Sequence, residues 1–255
     1  MRTDRSSHDA GRVALIAGHT AADYSPLLVT LEDGKPTTRV SQVSKNAEIR
    51  SQDAISIEDS GVAWFAGNNE LISFDGVNTV RYELGARGAG DWSTVVVAPD
   101  GSIWSQGTGE IVHITSGVVV SYGELDGVPP TPPGKDSFTW KLVPATGGQL
   151  WASRGDEIAH YDGDTWNIHE RPVPPGLGFP NGRKEIIQAS DGSTYVLDGE
   201  NDTLHRLQDG QWSVVALPSP GSTDNSPLAT VMVLAPDGSL WFAYQDGVAR
   251  FVPNP

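Results

Sequence analysis

Aromatic, basic and acidic side chains recur near the predicted starts of several strands, where together they could bind a small molecule. Indole faces stack on planar or sugar-like ligands, and neighbouring cations add charge-assisted hydrogen bonds to anionic groups. We predict that a ligand contacts two tryptophans, three cations and two carboxylates at one mouth of the fold: Trp92, Trp140, Lys141, Arg183, Lys184, Glu185 and Asp53. The alternative interpretation is that Lys141 pairs with Glu185 while the indoles only fill the channel.

Catalysis in the same region would need titratable side chains that converge. His113 and His160 share one position of the repeat described below, in predicted third strands, and no HExxH or similar histidine spacing occurs. A histidine metal site or a Ser-His-Asp triad is therefore disfavoured. Carboxylates are better candidates for a metal site, because oxygen ligands suit Ca²⁺ or Mg²⁺. Five of them approach this mouth: Asp53, Asp91, Asp136, Glu185 and Asp224. The sequence favours no cofactor, with Ca²⁺ or Mg²⁺ as the weaker alternative.

These positions follow from an internal repeat of roughly 45 residues. Five segments place an aromatic residue after a glycine turn: EDSGVAW, APDGSIW, ATGGQLW, ASDGSTY and APDGSLW. Short runs rich in Val, Ile, Trp and Tyr surround each aromatic, and DG, SG or GG turns separate the runs, as in antiparallel hairpins. Four such strands per unit are typical of propeller blades. The sequence therefore predicts an all-β fold, a β-propeller with four antiparallel strands in each blade.

The N-terminal stretch fits the same template without the aromatic, in the runs VALIAG, SPLLVTLEDG and TTRVSQV. We therefore predict six blades; five or seven would require one assignment to be wrong. Residues 1–255 then form a single propeller domain whose ring is closed by the N- and C-terminal segments.

Loop lengths distinguish the two ends of this fold. Turns between first and second strands, and between third and fourth strands, are two or three residues long and lie at one end. The connections between blades are long and lie at the other end, at 85–93, 126–140, 171–183 and 219–229. Long loops on a rigid scaffold commonly carry binding sites. We expect a small-molecule or protein partner at this long-loop face.

Composition excludes several classes of function. The 255-residue chain has 17 Lys and Arg against 32 Asp and Glu, a net charge of −15, whereas nucleic-acid binding needs a basic footprint. The absence of cysteine excludes a disulfide scaffold, a thiolate nucleophile and Cys-ligated metals. The first apolar run, Val13 to Ala17, is too short for a signal peptide or a membrane span. We expect no nucleic-acid or membrane partner and a cytoplasmic location, although a secreted domain without its leader would look the same.

Three segments, DGSIWSQGTGEIVHI, DGSLWFAYQDGVARF and FDGVNTVRYEL, resemble the repeats of bacterial two-component-regulator propellers, and the resemblance covers roughly residues 52–252. The segment PDGSLWF is also similar to the repeat of virginiamycin B lyase. The first resemblance implies a propeller that senses extracellular ligands or has another binding role, and the second implies a Mg-dependent eliminase. The lyase family places a catalytic histidine near the channel, whereas the predicted inner strands of this chain contain none.

These observations predict a non-catalytic ligand-binding or interaction module that uses the long-loop face and the channel mouth of a β-propeller. The alternative is a lyase or hydrolase at the same mouth, with Glu185 or Asp53 as the base or as a ligand of a divalent metal. A third interpretation is a protein-binding platform, because propellers display large flat faces.

Overall fold

The structure is a computed structural model that describes residues 14–19, 26–32, 35–39, 54–67, 70–75, 77–84, 94–107, 110–130, 140–154, 157–170, 185–189, 191–198, 203–217, 231–244 and 247–253. Apart from short 3₁₀ turns, the regular elements in these ranges are β-strands. This agrees with the sequence, since glycine turns interrupt its apolar runs before they reach the length of a helix.

The strands follow one another in six groups along the chain. The first group contains β1 (Ala14–His19), β2 (Pro26–Glu32) and β3 (Lys35–Arg39). The second contains β4 (Ile55–Ile57), β5 (Ala63–Gly67), β6 (Glu70–Phe74) and β7 (Thr79–Glu83). The third contains β8 (Thr94–Val97), β9 (Ile103–Gly107), β10 (Glu110–Thr115) and β11 (Val118–Tyr122).

The remaining three groups repeat this pattern. The fourth contains β12 (Lys141–Pro144), β13 (Leu150–Arg154), β14 (Glu157–Tyr161) and β15 (Trp166–Glu170). The fifth contains β16 (Glu185–Gln188), β17 (Thr194–Asp198), β18 (Thr203–Gln208) and β19 (Gln211–Val215). The sixth contains β20 (Val231–Leu234), β21 (Leu240–Tyr244) and β22 (Gly247–Phe251).

Each group forms its own sheet, in which every strand pairs with its neighbour in the chain. The described strands make four sheets of four strands, and the first and sixth sheets have three each. The all-β prediction and the four-stranded antiparallel units are thus confirmed. Closure of a single ring by the terminal segments stays a prediction, because residues 1–13 and 254–255 lie outside the described ranges.

A repeated glycine turn joins the first and second strands of four sheets. In the third sheet the Ala98 N–H donates to the Ser102 carbonyl at 2.8 Å, and the Gly101 N–H donates to the Ala98 carbonyl at 2.9 Å. Gly101 has φ +79°, a conformation that strains any residue with a Cβ atom. The same pair of hydrogen bonds recurs around Gly61, Gly192 and Gly238. The glycines of the sequence repeat therefore set where each hairpin reverses.

The repeat aromatic of each second strand pairs directly with one residue of the third strand. These cross-strand pairs are Trp64–Ser73, Trp104–His113, Trp151–His160, Tyr195–Arg206 and Trp241–Arg250. His113 and His160 thus share one third-strand position, as expected from their place in the repeat. Four of the aromatics are between 0% and 5% exposed, but Trp241 in the three-stranded sixth sheet is 39% exposed.

The contacts divide the chain into two compact units, Met1–Gly148 and Gln149–Pro255. Within the first unit the first strands of successive sheets contact one another, β1 with β4, β4 with β8 and β8 with β12. One apolar core there joins the second and third sheets, with Phe65 and Val95 among its buried members. Within the second unit β16 contacts β20, and a core containing Tyr195 and Phe242 joins the fifth and sixth sheets. Each unit is thus built of sheets that pack through their first strands, as propeller blades do.

Candidate functional site

The aspartates of the tight turns are engaged in structural hydrogen bonds. Asp100 Oδ1 accepts hydrogen bonds from the Ser102 backbone N–H at 3.0 Å and from its hydroxyl at 2.7 Å. The Ser102 hydroxyl is the main cause that lowers the pKa of Asp100 below its ordinary value. The same arrangement recurs at Asp191 with Ser193 and at Asp237 with Ser239. These carboxylates are held ionised by their own turns, which makes them poor general bases.

Two arginines of third strands form ion pairs with turn aspartates at the same end of the sheets. Arg206 Nη2 lies 3.1 Å from Asp191 Oδ2, and Arg250 Nη2 lies 2.8 Å from Asp237 Oδ2. Each guanidinium also lies over the aromatic ring of the preceding strand, 5.8 Å from the centroid of Tyr195 and 6.0 Å from that of Trp241. In the fifth and sixth sheets an aspartate, an aromatic ring and an arginine therefore form one structural unit.

The turns between third and fourth strands use their carboxylates in the same way. Asp162 accepts hydrogen bonds from the backbone N–H groups of Thr165 at 2.8 Å and Asp164 at 3.0 Å, and these bonds are the main cause that lowers its pKa to about 2. Asp75 accepts from the backbone N–H groups of Asn78 and Val77 at 2.6 and 2.8 Å. Five carboxylates of the tight-turn end thus serve their own hairpins: Asp75, Asp100, Asp162, Asp191 and Asp237. The opposite end is therefore taken as the candidate site.

Two sheets carry a histidine where the fifth and sixth sheets carry arginine. His113 stacks on Trp104 with a centroid distance of 3.8 Å, and His160 stacks on Trp151 at 4.2 Å. His169, from the fourth strand of the same sheet, lies 6.0 Å from His160 and 5.2 Å from Trp151, again between ring centroids. The Nε2 atoms of His160 and His169 are buried and have no hydrogen-bond partner among the described residues. These rings act as packing groups, not as an acid–base pair aimed at solvent.

We expect the stability of the protein to fall as the pH drops below about 6.5. Burial lowers the pKa of His113, His160 and His169, and the charge of His169 adds to the effect at His160. A lowered pKa means that the unfolded chain binds protons first, so stability is full above the unfolded value of 6.5 and declines as the pH falls towards the folded values. Because the rings are only partly buried, each contributes less than the roughly 1.4 kcal/mol per pH unit of a fully buried group.

Urea unfolding at about pH 7.5 and about pH 5 measures this decline, and the variant His160→Asn with His169→Asn should flatten it. Asp162, whose pKa is lowered to about 2, titrates well below this window. A stability that rises on acidification between these two pH values would show the prediction to be wrong.

At the long-loop end of the first unit, a buried amide holds the entry to β12. Gln106 is 1% exposed, and its Oε1 accepts a hydrogen bond from the backbone N–H of Trp140 at 2.6 Å. The hydroxyl of Ser105 donates to the carbonyl of Thr94 at 2.7 Å in the same buried layer. Lys141, the next residue after Trp140, is partly exposed. The layer thus fixes the backbone from which the Lys141 side chain extends.

At the long-loop end of the second unit, the β13–β14 hairpin holds a buried cation. Arg154 ends β13, its side chain is only 3% exposed, and its Nη2 lies 2.6 Å from Glu157 Oε2. Its Nε donates a second hydrogen bond to the same oxygen at 2.9 Å. Glu185, the first residue of β16, is partly exposed at the same end of its sheet. Arg154 was not among the predicted contact residues. An arginine followed three residues later by a glutamate, across a predicted hairpin, is the signal that could have indicated this pair.

The structure describes three of the seven predicted contact residues, and their role in binding a ligand stays a prediction. Lys141 and Glu185 are partly exposed at the starts of first strands, as expected. Trp140 is 3% exposed, so its indole presents little open face for stacking in this structure. The other four lie outside the described residues: Asp53, Trp92, Arg183 and Lys184.

The described part of the chain holds neither a cluster of metal ligands nor a candidate membrane span. Within it, no three His, Asp or Glu side chains are close enough together to hold a metal ion. Also within these ranges, no helix has the length and apolar character needed to span a membrane.

Comparison with known proteins places the fold. No protein-family model matches the chain, and no curated protein matches it either. Among solved structures, it is similar to a catalytically inactive variant of virginiamycin B lyase from Staphylococcus aureus with quinupristin, with a TM-score of 0.55 and 20% identity over 79% of this chain and 70% of that one. It is also similar to YCF48 bound to D1 peptide, with a TM-score of 0.61 and 14% identity over 95% and 74% of the two chains.

A third similar structure is the extracellular domain of a hybrid two-component system, BT3049, from B. thetaiotaomicron. The TM-score is 0.59 and the identity 14%, over 98% of this chain and 34% of the longer one. Because this neighbour is extracellular, the comparisons do not support the cytoplasmic location expected from the sequence. All three identities are below 25%, so the likeness concerns the fold. The chain is thus an all-β protein that contains antiparallel four-stranded sheets, with the β-propeller fold of virginiamycin B lyase and of the extracellular domain of BT3049.

Proposed function

We propose that the chain is a non-catalytic ligand-binding or interaction module that uses the long-loop face of a six-bladed β-propeller, with one blade for each described sheet. The contrast between the two ends of the sheets carries the proposal. Described carboxylates and arginines of the tight-turn end are tied into their own hairpins, as in the pairs of Asp191 with Arg206 and Asp237 with Arg250. An experimental structure with a different number of blades would overturn the architectural part.

The long-loop end combines rigid support with accessible polar groups. The Gln106–Trp140 hydrogen bond anchors the backbone below the partly exposed Lys141, and Glu185 stands partly exposed at the start of its own strand. A side chain held by a buried layer loses little conformational entropy when it binds a partner. We propose that Asp53, Trp92, Arg183 and Lys184 complete the contact surface of this face with the partly exposed Lys141 and Glu185.

Two of the similar structures contain a ligand. The lyase variant is described with quinupristin, and YCF48 is bound to D1 peptide. These facts concern those proteins, but they show that this fold accommodates both a small molecule and a peptide. A planar or sugar-like anion would suit the indoles and cations proposed here.

We expect a panel of aromatic carboxylates and short oligosaccharides, screened by thermal shift and calorimetry, to contain a binder. The triple variant Lys141→Ala, Arg183→Ala, Lys184→Ala should weaken an anionic binder by about tenfold to a hundredfold, because each cation supplies a charge-assisted hydrogen bond. The matched control is Arg250→Ala, which removes a cation already paired with Asp237 at the tight-turn end and should leave affinity unchanged.

If the triple variant and Arg250→Ala lose the same amount of affinity, the long-loop face is not the binding surface. If no compound of the panel binds, the proposal of a small-molecule ligand is wrong. Turnover of a panel compound that requires Mg²⁺ and is lost in Glu185→Gln would replace it with the lyase or hydrolase alternative.

A further inference from the structure

The outer strand of the third sheet presents an unusual edge. In the sheet order β11-β10-β9-β8, strand β11 lies at the edge, and no described strand pairs with its other side. Three consecutive valines of this strand are exposed, Val118 by 62%, Val119 by 41% and Val120 by 43%. Edge strands are normally protected by charges, proline or a bulge, and β11 has none of these.

The hairpin geometry determines which backbone groups face outward. Ser116 and Gly117 have φ values of 51° and 78°, which is a two-residue turn of the primed type, and Thr115 pairs with Val118 next to it. The residues that flank such a turn form a hydrogen-bonded pair, and pairs then alternate along the ladder. Val118 and Val120 therefore bond to β10, whereas the N–H and C=O groups of Val119 and Ser121 point away from the sheet. These are the groups to which an added strand would bond.

The charge around this edge has one sign. Residues 94–107 and 110–130, which form the described part of this sheet, contain no lysine or arginine. They contain four carboxylates, Asp100, Glu110, Glu124 and Asp126, of which Glu124 and Asp126 are exposed in the short turn directly after β11. Between them, Leu125 is completely exposed. A partner that adds a strand here would gain from positive charge and from apolar side chains that cover the valines.

We propose that the edge of β11 binds an extended basic peptide segment of a partner protein by adding a strand to the third sheet. Val119 and Ser121 supply the backbone hydrogen bonds, the exposed valines receive alternate apolar side chains, and Glu124 and Asp126 pair with lysine or arginine. A second copy of this chain is a poorer occupant because the net charge of −15 and the like-charged edges oppose self-association. This surface is separate from the long-loop face of the proposed function.

The test is a fluorescence anisotropy titration of the full chain with a labelled peptide that alternates lysine with valine and threonine. We expect saturable binding that weakens as salt increases, and about a tenfold loss of affinity in Val119→Pro. Proline at this position removes an outward N–H without removing a bond to β10, so the sheet should persist. Glu124→Lys provides a second variant that leaves the backbone unchanged and should also weaken binding.

The matched control is Val214→Pro in β19, another edge strand. Val214 is 68% exposed and pairs with His205 at a position where its N–H also faces outward, by the same alternation from the turn at Asp209 and Gly210. Unchanged affinity in this control and weak binding of a glutamate version of the peptide support the proposal. No binding of the basic peptide at about 1 mM, or equal losses in both proline variants, would overturn it. Dimerisation of the wild-type chain that Val119→Pro abolishes would also overturn it, in favour of a second copy.

Discussion

Replacing Trp104 by alanine should lower the free energy of unfolding by about 3–5 kcal/mol, the usual range for a fully buried aromatic. Trp104 is 0% exposed, and its ring stacks on His113 at a centroid distance of 3.8 Å and on Tyr122 at 6.1 Å. Removing the indole leaves a cavity and takes a stacking partner from both neighbours. Urea unfolding followed by far-ultraviolet circular dichroism measures the loss.

The control is Trp241→Ala at the equivalent position of the sixth sheet. Trp241 is 39% exposed, and its Nε1 donates a hydrogen bond to the Ser239 hydroxyl at 3.1 Å. Because much of its surface already contacts water, we expect a loss of less than about 2 kcal/mol. Equal losses at the two positions would mean that the exposed face of the sixth sheet is covered in solution, contrary to this structure.

The second large effect is expected from Gln106→Leu. Leucine keeps the approximate volume but removes the oxygen that accepts the Trp140 N–H, and loss of a buried hydrogen-bond acceptor costs about 1–3 kcal/mol. The substitution should also speed hydrogen exchange at the Trp140 amide, because the backbone at the entry of β12 is then held less firmly.

Gln208→Leu is the matched control, since Gln208 is an exposed glutamine in β18 and its replacement should change stability by less than about 0.5 kcal/mol. If Gln106→Leu slows exchange at Trp140 or is as harmless as the control, this hydrogen bond does not hold the long-loop end. If the long-loop face binds ligand as proposed, the variant should also weaken binding, because Lys141 follows Trp140 directly.

The fold could be predicted in detail from the sequence because its signals are local. A glycine with positive φ in each fully described DG turn, and the repeat aromatic in the second strands of five sheets, recur along the chain, so strand order and hairpin position follow from spacing alone. Even the pairing of Trp104 with His113 and of Trp151 with His160 follows from their equal distance to the turn.

The candidate site was less accessible to prediction. Trp140 was predicted to offer a stacking surface, but it is 3% exposed, and its backbone N–H binds Gln106, a residue distant in sequence. Arg154 was overlooked because its burial and its bond to Glu157 arise only when β13 and β14 pair. Two of the four predicted contact residues outside the described ranges, Trp92 and Arg183, belong to the long connections, whose sequences do not follow the repeat.

What the sequence by itself determined is the repeat: an all-β chain of short antiparallel strands whose turn aspartates and strand aromatics recur at fixed spacing. Only the tertiary structure decided which copies of a repeated residue are buried and which are exposed. The same aromatic position is 0% exposed at Trp104 and 39% exposed at Trp241, although both tryptophans follow the same DGS turn. The physical reason is that turn conformation depends on neighbouring residues, whereas exposure depends on what packs against each sheet.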